Sequence, residues 1–250
     1  RSTHFISSAA SDVYKRQIFI SDIHLSSDKP HLTDFFKSFI GQCCETATHI
    51  YILGDLFDLW LGDDDESHFA REVKATLKKA TDKGINLFFQ KGNKDFTIGK
   101  KFARQTNIQI LPDEYIVDHF GQRALLMQGD SLCTDDIDYQ KFRKKSRHPL
   151  YLWCLLKIPL NFRKKLAAKW RKDNFEAKLL KDEEIMDVSE STVLEKMQIH
   201  DVEVLLHGHT HRPNIHKNSF GQRIVLGEWS ERAWYVSLDQ SGFDLKFSPI

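Results

Sequence analysis

The chain has 250 residues, enough for one large α/β domain or a domain carrying a sizeable insertion. A net charge of +1 with 28% charged residues argues against bulk electrostatic binding of a polyanion, so any basic function has to be local. The apolar runs are too short and interrupted to span a bilayer, no secretory signal is visible, and the four cysteines form no CxxC, which predicts reduced thiols in a cytosolic protein and no thiolate-bound zinc.

Residues 1–17 show no apolar period, and Asp12-Val13-Tyr14-Lys15-Arg16-Gln17 matches one reading frame of a transposon end sequence used in DNA library preparation. Residues 1–17 are therefore expected to be a non-native or disordered leader, with one domain over 18–250. From Ile18 the pattern alternates strand, loop and helix. Ile18-Phe19-Ile20 is a strand stopped by Ser21-Asp22. His31 to Cys43 carries Leu32, Phe35, Phe36 and Phe39 on one helical face. Ile50 to Leu53 is a second strand, and Phe69 to Lys83 a helix ended by Gly84. Ile85 to Phe89 is a third strand, Phe96 to Gln105 a short helix, and Ala124 to Met127 a fourth strand. Residues 139–184 differ. Lys141 to Lys172 holds twelve Lys or Arg and no acid, with helical spacing of large apolar residues including Trp153, Leu156, Phe162, Leu166 and Trp170. This predicts a helical insertion over the mouth of a site, able to shelter acyl chains or to lie on an anionic membrane. The plainer alternative is a helical pair packed on the body with a solvated basic face. Val202 to Leu206 is a fifth strand. Arg223 to Leu226, Ala233 to Leu238 and Phe243 to Phe247 read as antiparallel strands with a turn at Gln240-Ser241-Gly242.

The five buried strands each end in residues able to bind a metal: Asp22-Ile23-His24, Gly54-Asp55, Gly92-Asn93-Lys94-Asp95, Gln128-Gly129-Asp130 and His207-Gly208-His209-Thr210-His211. Ligands collect beyond the carboxyl ends of strands in α/β sheets, so all five loops can face one cavity. Each piece alone reads as a turn. In this order, each after a strand, they point to a site of oxygen and imidazole donors, suited to manganese, iron or zinc. Two such ions sharing a carboxylate clamp an in-line displacement at phosphorus, and Asp55 is the natural bridge. Asp63-Asp64-Asp65 reads as a solvated loop or helix start, and Trp60, Trp229 and Trp234 as core. His211 is open between a phosphate contact and a loop-ordering role. A nucleic-acid module using the basic face is disfavoured by the metal motifs.

The order Asp-x-His, Gly-Asp, Gly-Asn-x-Asp, Gly-His-x-His resembles the calcineurin-like metallophosphoesterases. Ser21-Asp22-Ile23-His24-Leu25, Leu53-Gly54-Asp55-Leu56-Phe57, Trp60 to Asp65, Leu132 to Asp136, Ile185 to Val188 and His207 to Pro213 are similar to one family within them, the UDP-2,3-diacylglucosamine hydrolases of lipid A synthesis. The resemblance implies a four-layer αββα sandwich with a helical cap over about 139–184. It implies cleavage of the pyrophosphate of a lipid-linked nucleotide sugar, two manganese ions per chain, no nucleic-acid partner, and a peripheral place on the anionic cytoplasmic face of an inner membrane. One ion would take Asp22, His24, Asp55 and His209. The other would take Asp55, Asn93, Gln128 and His207. Asn93, Lys94, Asp136, Asn174, Lys178, Lys181 and His207 would contact substrate. Gln128 stands where the family has His, Asn174 where it has Ser, and Lys94 where it has Arg, which leaves open another phosphoesterase acting on soluble nucleotides or diesters, or a catalytically weakened homologue.

Overall fold

A computed structural model describes residues 16–168 and 187–250. The expected leader lies outside the described residues apart from Arg16 and Gln17, which open the first strand, β1 (Arg16–Ile20). Helix α1 (Pro30–Thr46) starts with proline at its first turn, where the missing N–H costs nothing, and buries Leu32, Phe36, Phe39, Ile40 and Cys43. After β2 (Ala47–Leu53), helix α2 (His68–Asp82) is capped by Ser67, whose hydroxyl accepts from the Ala70 N–H at 3.2 Å. Its buried Ala70, Val73, Leu77 and Ala80 follow the helical period. Then come β3 (Asn86–Gln90), α3 (Lys100–Thr106), β4 (Gln109–Ile110), β5 (Glu114–His119) and β6 (Gln122–Met127). Helices α4 (Ile137–Ser146), α5 (Pro149–Lys157) and α6 (160–168) follow, and then α7 (Glu190–His200). The chain closes with β7 (Val204–His207), β8 (Asn214–Lys217), β9 (Gln222–Val225), β10 (Arg232–Asp239) and β11 (Gly242–Pro249).

The strands form two sheets, ordered β11-β10-β1-β2-β3-β4 and β5-β6-β7-β9-β8. Alternation along each strand decides the layers. In β1 and β2, Ile18, Ile20, Ile50 and Ile52 join the α1 and α2 residues in one apolar cluster. Phe19, Tyr51 and Leu53 point the other way and meet Leu126, Val204, Leu206 and Ile224 of the second sheet. The far face of that sheet, Leu125, Met127 and Leu205, packs on Val193 and Met197 of α7. The order is helices, sheet, sheet, helix: the αββα sandwich.

Two expectations change. Arg223 to Leu226 does not join the terminal hairpin. It is β9, parallel to β7 and antiparallel to β8, in the opposite sheet from β10 and β11. Its alternating Ile224 and Leu226 need the inter-sheet layer, which a local pattern cannot locate. The short helix starts at Lys100 rather than Phe96, because Asp95 and Thr97 bond to backbone of the β2 loop instead. The four cysteines form no disulfide. Among the described residues no helix is long and apolar enough to cross a membrane.

The inter-sheet layer is expected to dominate stability. Phe19 is fully buried and stacks on Tyr51 with ring centroids 4.9 Å apart. Phe19→Ala should lower the unfolding free energy by about 3–5 kcal/mol in a denaturant titration, while Phe247→Ala, on an exposed position, should cost under about 1 kcal/mol.

Candidate metal centre

Strands β1, β2 and β3 run parallel in one sheet, and β6 and β7 run parallel in the other. Their carboxyl ends meet at one edge of the sandwich, and the five loops interlock there. A side chain on Gly92 would overlap the Asp55 carboxylate and backbone N, and one on Gly208 would overlap the Asp22 carboxylate and the Ser21 hydroxyl. Only glycine permits these approaches. The loop residues themselves are held in the left-handed region: Asp22 (φ 53°), His24 (53°), Asp55 (51°), His209 (70°) and His211 (58°). Non-glycine residues there cost on the order of 1–3 kcal/mol each, and such strain persists only where the surroundings dictate it.

One group of side chains gathers at the β1 end. Asp22, His24 and His211 offer donor atoms within 4.8 Å of one another. Asp22 Oδ2 accepts from the Ser21 hydroxyl at 2.6 Å and from the His209 backbone N–H at 2.8 Å. His211 Nε2 lies 3.3 Å from Asp22 Oδ1 and 3.3 Å from His24 Nε2, and its Nδ1 is 3.1 Å from Glu228 Oε2. His24 Nδ1 is buried with no hydrogen-bond partner.

The second group lies toward β3 and β6. His209 Nδ1 is 3.1 Å from Asn93 Oδ1 and 3.2 Å from Gln128 Nε2. Gln128 Oε1 accepts the Asp130 N–H at 2.9 Å. His207 Nδ1 bonds the Gly208 carbonyl at 2.8 Å, and its Nε2 lies 3.2 Å from Arg223 Nη1. Asp55 Oδ1 accepts from the Lys94 N–H at 2.9 Å. His209 belongs to both groups, through its backbone at Asp22 and its ring at Asn93 and Gln128.

The charges are out of balance. Burial pushes the Asp55 carboxyl well up, and the neighbouring Asp95 and Asp22 add to it. Burial also lifts Asp95 to about 6. Burial brings His24 down to about 4, and with Arg223 brings His207 down to about 3, so both rings are neutral, and His24 keeps a ring nitrogen without a partner. Burial works against a charged His211, but Asp22 and Glu228 outweigh it and hold its pKa up to about 10. Burial alone would raise Asp22; His211 and His24 reverse the shift. Neutral imidazoles, buried carboxylates lacking a full countercharge and an unpartnered ring nitrogen suit a divalent cation at the Asp22–His24 end.

The expected substrate residues lie farther out. Lys94 Nζ is 3.4 Å from Asp58, and Asp136 caps α4 by accepting the Tyr139 N–H at 3.0 Å. Asn174, Lys178, Lys181 and Trp170 lie outside the described residues. Asp63-Asp64-Asp65 is tied down rather than merely solvated. Asp63 accepts the Gly99 and Phe102 N–H groups at the start of α3, and Asp64 pairs with the buried Arg163. Residue patterns did not single out Glu228 or Arg223, and they marked Asp130 as part of a metal motif, not as the centre of an ion-pair cluster. There the buried carboxylate accepts from Tyr139 at 2.8 Å and Arg147 at 2.7 Å, with Arg143 Nε at 2.9 Å. The run of basic residues on α4 was the available signal.

Residues 15–213 match the family model for calcineurin-like phosphoesterases. Among curated relatives, a UDP-2,3-diacylglucosamine hydrolase of Histophilus somni is 42% identical over 230 residues, covering 92% of this chain and 98% of the relative. Those of Vibrio parahaemolyticus and Escherichia coli are 39% and 40% identical, each over 93% of this chain and 98% and 99% of the relative. A family match across most of the chain and end-to-end relatives at this identity place the chain in the calcineurin-like phosphoesterases, within the family of the UDP-2,3-diacylglucosamine hydrolases.

Proposed function

We propose that the chain hydrolyses the pyrophosphate of UDP-2,3-diacylglucosamine to UMP and 2,3-diacylglucosamine 1-phosphate, in lipid A synthesis. The carrying observation is the cluster of buried Asp22 and His24 with half-buried His211 on the loops where the two sheets meet, in a chain whose relatives of that name align over nearly their whole length. In the reaction, water oxygen bonds to the phosphorus on the UMP side, the bridging P–O bond breaks, and the lipid 1-phosphate leaves.

Asp22, His24 and Asp55 hold the cation in this reading, while His209, expected beside them, contributes the backbone N–H that fixes Asp22 and keeps its ring at Asn93 and Gln128; manganese suits the mixed carboxylate and imidazole donors. A bound divalent ion supplies Lewis acidity, acidifying water and neutralising phosphate charge. The chain's own residues do the rest. Asp95 fixes the Asp55 loop, His211 and Ser21 orient the Asp22 carboxylate, and Asn93 is assigned to the scissile group, whereas His207, expected beside it, is fully buried with both ring nitrogens engaged by protein. Lys94, part-exposed beside Asp58, is assigned to the phosphate; it brings charge without a bidentate fork. Asp136 is assigned to substrate as well, as are Asn174, Lys178 and Lys181 outside the described residues.

The helices over residues 137–168 are assigned to the acylated half of the substrate and to the membrane. Leu150, Trp153, Leu156 and Phe162 are exposed, Trp153 by 60% and Phe162 by 63%. Lys157 and Lys165 lie over the rings of Trp153 and Phe162. Apolar tips beside lysines fit a peripheral seat on the anionic cytoplasmic face of the inner membrane, with each basic residue near the lipid contributing about 1 kcal/mol.

Three outcomes test this reading. Asp55→Ala should retain the fold by circular dichroism, lose bound manganese by elemental analysis, and lower UMP release at least about a hundredfold, the range seen when a main electrostatic group is removed. A chelator should abolish turnover of the native chain, with manganese restoring it. Turnover of generic soluble diesters with none of the acylated nucleotide sugar would instead assign a different phosphoesterase substrate. Trp153→Ala or Leu156→Ala should weaken kcat/KM for the acylated substrate by about 1–3 kcal/mol while leaving a deacylated analogue nearly unchanged. Equal losses on both would leave these side chains a structural role alone.

A further inference from the structure

The resemblance implies two manganese ions per chain, with Gln128 lending its amide oxygen to the second. The arrangement around Gln128 is set by the backbone N–H of Asp130, which can only donate. It bonds Gln128 Oε1 at 2.9 Å, and Gln128 is only 4% exposed. Turning the amide over would set its NH2 against that N–H, donor against donor, in a place sealed from water. The oxygen is therefore committed to Asp130, and Nε2 is the end that faces the loops, 3.2 Å from His209 Nδ1 and 3.5 Å from Asn93 Oδ1. An amide NH2 has no lone pair to offer a cation.

His207 provides an independent observation. Arg223 is a donor without acceptor capacity and keeps its charge, and its Nη1 lies 3.2 Å from His207 Nε2. Nε2 must then accept, so Nδ1 carries the proton and donates to the Gly208 carbonyl at 2.8 Å. Both nitrogens of this buried ring are engaged by protein, one of them by a permanent cation. Three of the four groups expected around a second ion thus already face protein donors: Asn93 faces Gln128, His207 faces Arg223, and Asp55 Oδ1 accepts from the Lys94 N–H. At the other end His24 Nδ1 is buried without a partner. A second ion would have to turn Gln128 off Asp130 and sit close to the Arg223 guanidinium.

We propose that Gln128 is a hydrogen-bond donor that positions His209 and Asn93, not a metal ligand, and that this chain holds one divalent ion, at the Asp22–His24 end, instead of two. The inference rests on the reading of that end as a divalent-metal site. The donor end of the Gln128 amide dipole and the Arg223 guanidinium charge supply the positive potential that a second ion would bring.

The test is ion stoichiometry. The metal-free full chain is titrated with manganese, bound ion is counted by equilibrium dialysis with elemental analysis, and electron paramagnetic resonance follows the ion's surroundings. One tightly bound ion per chain with the hyperfine pattern of an isolated centre is the expected result. Two tightly bound ions with the spectrum of an exchange-coupled pair would overturn the inference while leaving the metal-site reading intact. No tightly bound ion would overturn both. Gln128→His together with Arg223→Ala should raise the count from one to two and bring in the coupled spectrum, because imidazole offers the lone pair that the amide withholds and His207 Nε2 is no longer engaged by a guanidinium. A folded variant that stays at one ion would show that positions 128 and 223 do not control the second position. If the variant does not fold, the native count decides.

Discussion

Asp95 is fully buried, and its two oxygens face four backbone N–H groups. Those of Gly92 and Leu56 donate at 2.8 Å, that of Asp55 at 3.3 Å and that of Phe57 at 3.4 Å. These belong to the loops after β2 and β3, which must turn sharply beyond the end of the sheet, where no strand partner remains for their amides. Without the carboxylate the loop N–H groups would be orphaned in a dry interior, each at a cost of about 1–3 kcal/mol. With it, the two turns become one rigid unit that presents Asp55 and Asn93 side by side. The left-handed backbone at Asp55 is tolerable for the same reason: the bonds that dictate it outnumber its strain.

From that unit the rest of the centre is assembled across the sandwich. Phe19, Tyr51 and Leu53 of one sheet and Leu126, Leu206 and Ile224 of the other share one apolar layer, so the loop ends of both sheets reach the same edge. The β7 loop closes onto β1 through Gly208, which lets the His209 N–H reach the Asp22 carboxylate at 2.8 Å. Electrostatics then sort the groups. His211, between Asp22 and Glu228, stays charged, while His24 and His207, buried and beside other cations, stay neutral. Neutral rings next to buried carboxylates make a site that takes a cation, whereas the same rings protonated would repel it.

The basic insertion separates by residue type. Its described arginines are spent inside: Arg143 and Arg147 lie at 2.9 and 2.7 Å from the buried Asp130, Arg147 also bonds the Gly92 carbonyl, and Arg163 seats α6 on Leu61 and Asp64. A planar guanidinium can satisfy several acceptors in a dry setting. Among the described residues its lysines stay outside with the exposed apolar tips. The insertion is thereby bolted to the metal loops through Asp130 and Tyr139, whose ring stacks on His209 at 6.0 Å, while its outer surface keeps Leu150, Trp153, Leu156 and Phe162 exposed.

Much of this was legible in the residues alone. Runs such as Ile50 to Leu53 and the period of Leu32, Phe36 and Phe39 mark buried strands and an amphipathic helix, since burial needs only local apolar spacing. The Asp22, Asp55, Asn93 and His207-x-His209 motifs marked the centre because glycine turns after buried strands leave few other uses for such residues. What the chain could not announce was partnership. Val117 is the one fully buried residue of β5, and β8 is largely exposed, so neither carries a clear apolar period. Arg223 to Leu226 alternates like a hairpin strand, yet only the inter-sheet layer assigns it to the second sheet. Gln128 is the sharpest case. Its position names it a ligand, but an amide has a donor end and an acceptor end, and which end faces the centre depends on the Asp130 N–H that folding brings beside it. Residue type and spacing determined most of the strands, the loops and the kind of chemistry. The tertiary structure decided which atoms face one another, because hydrogen-bond direction is set by neighbours that are distant in the chain.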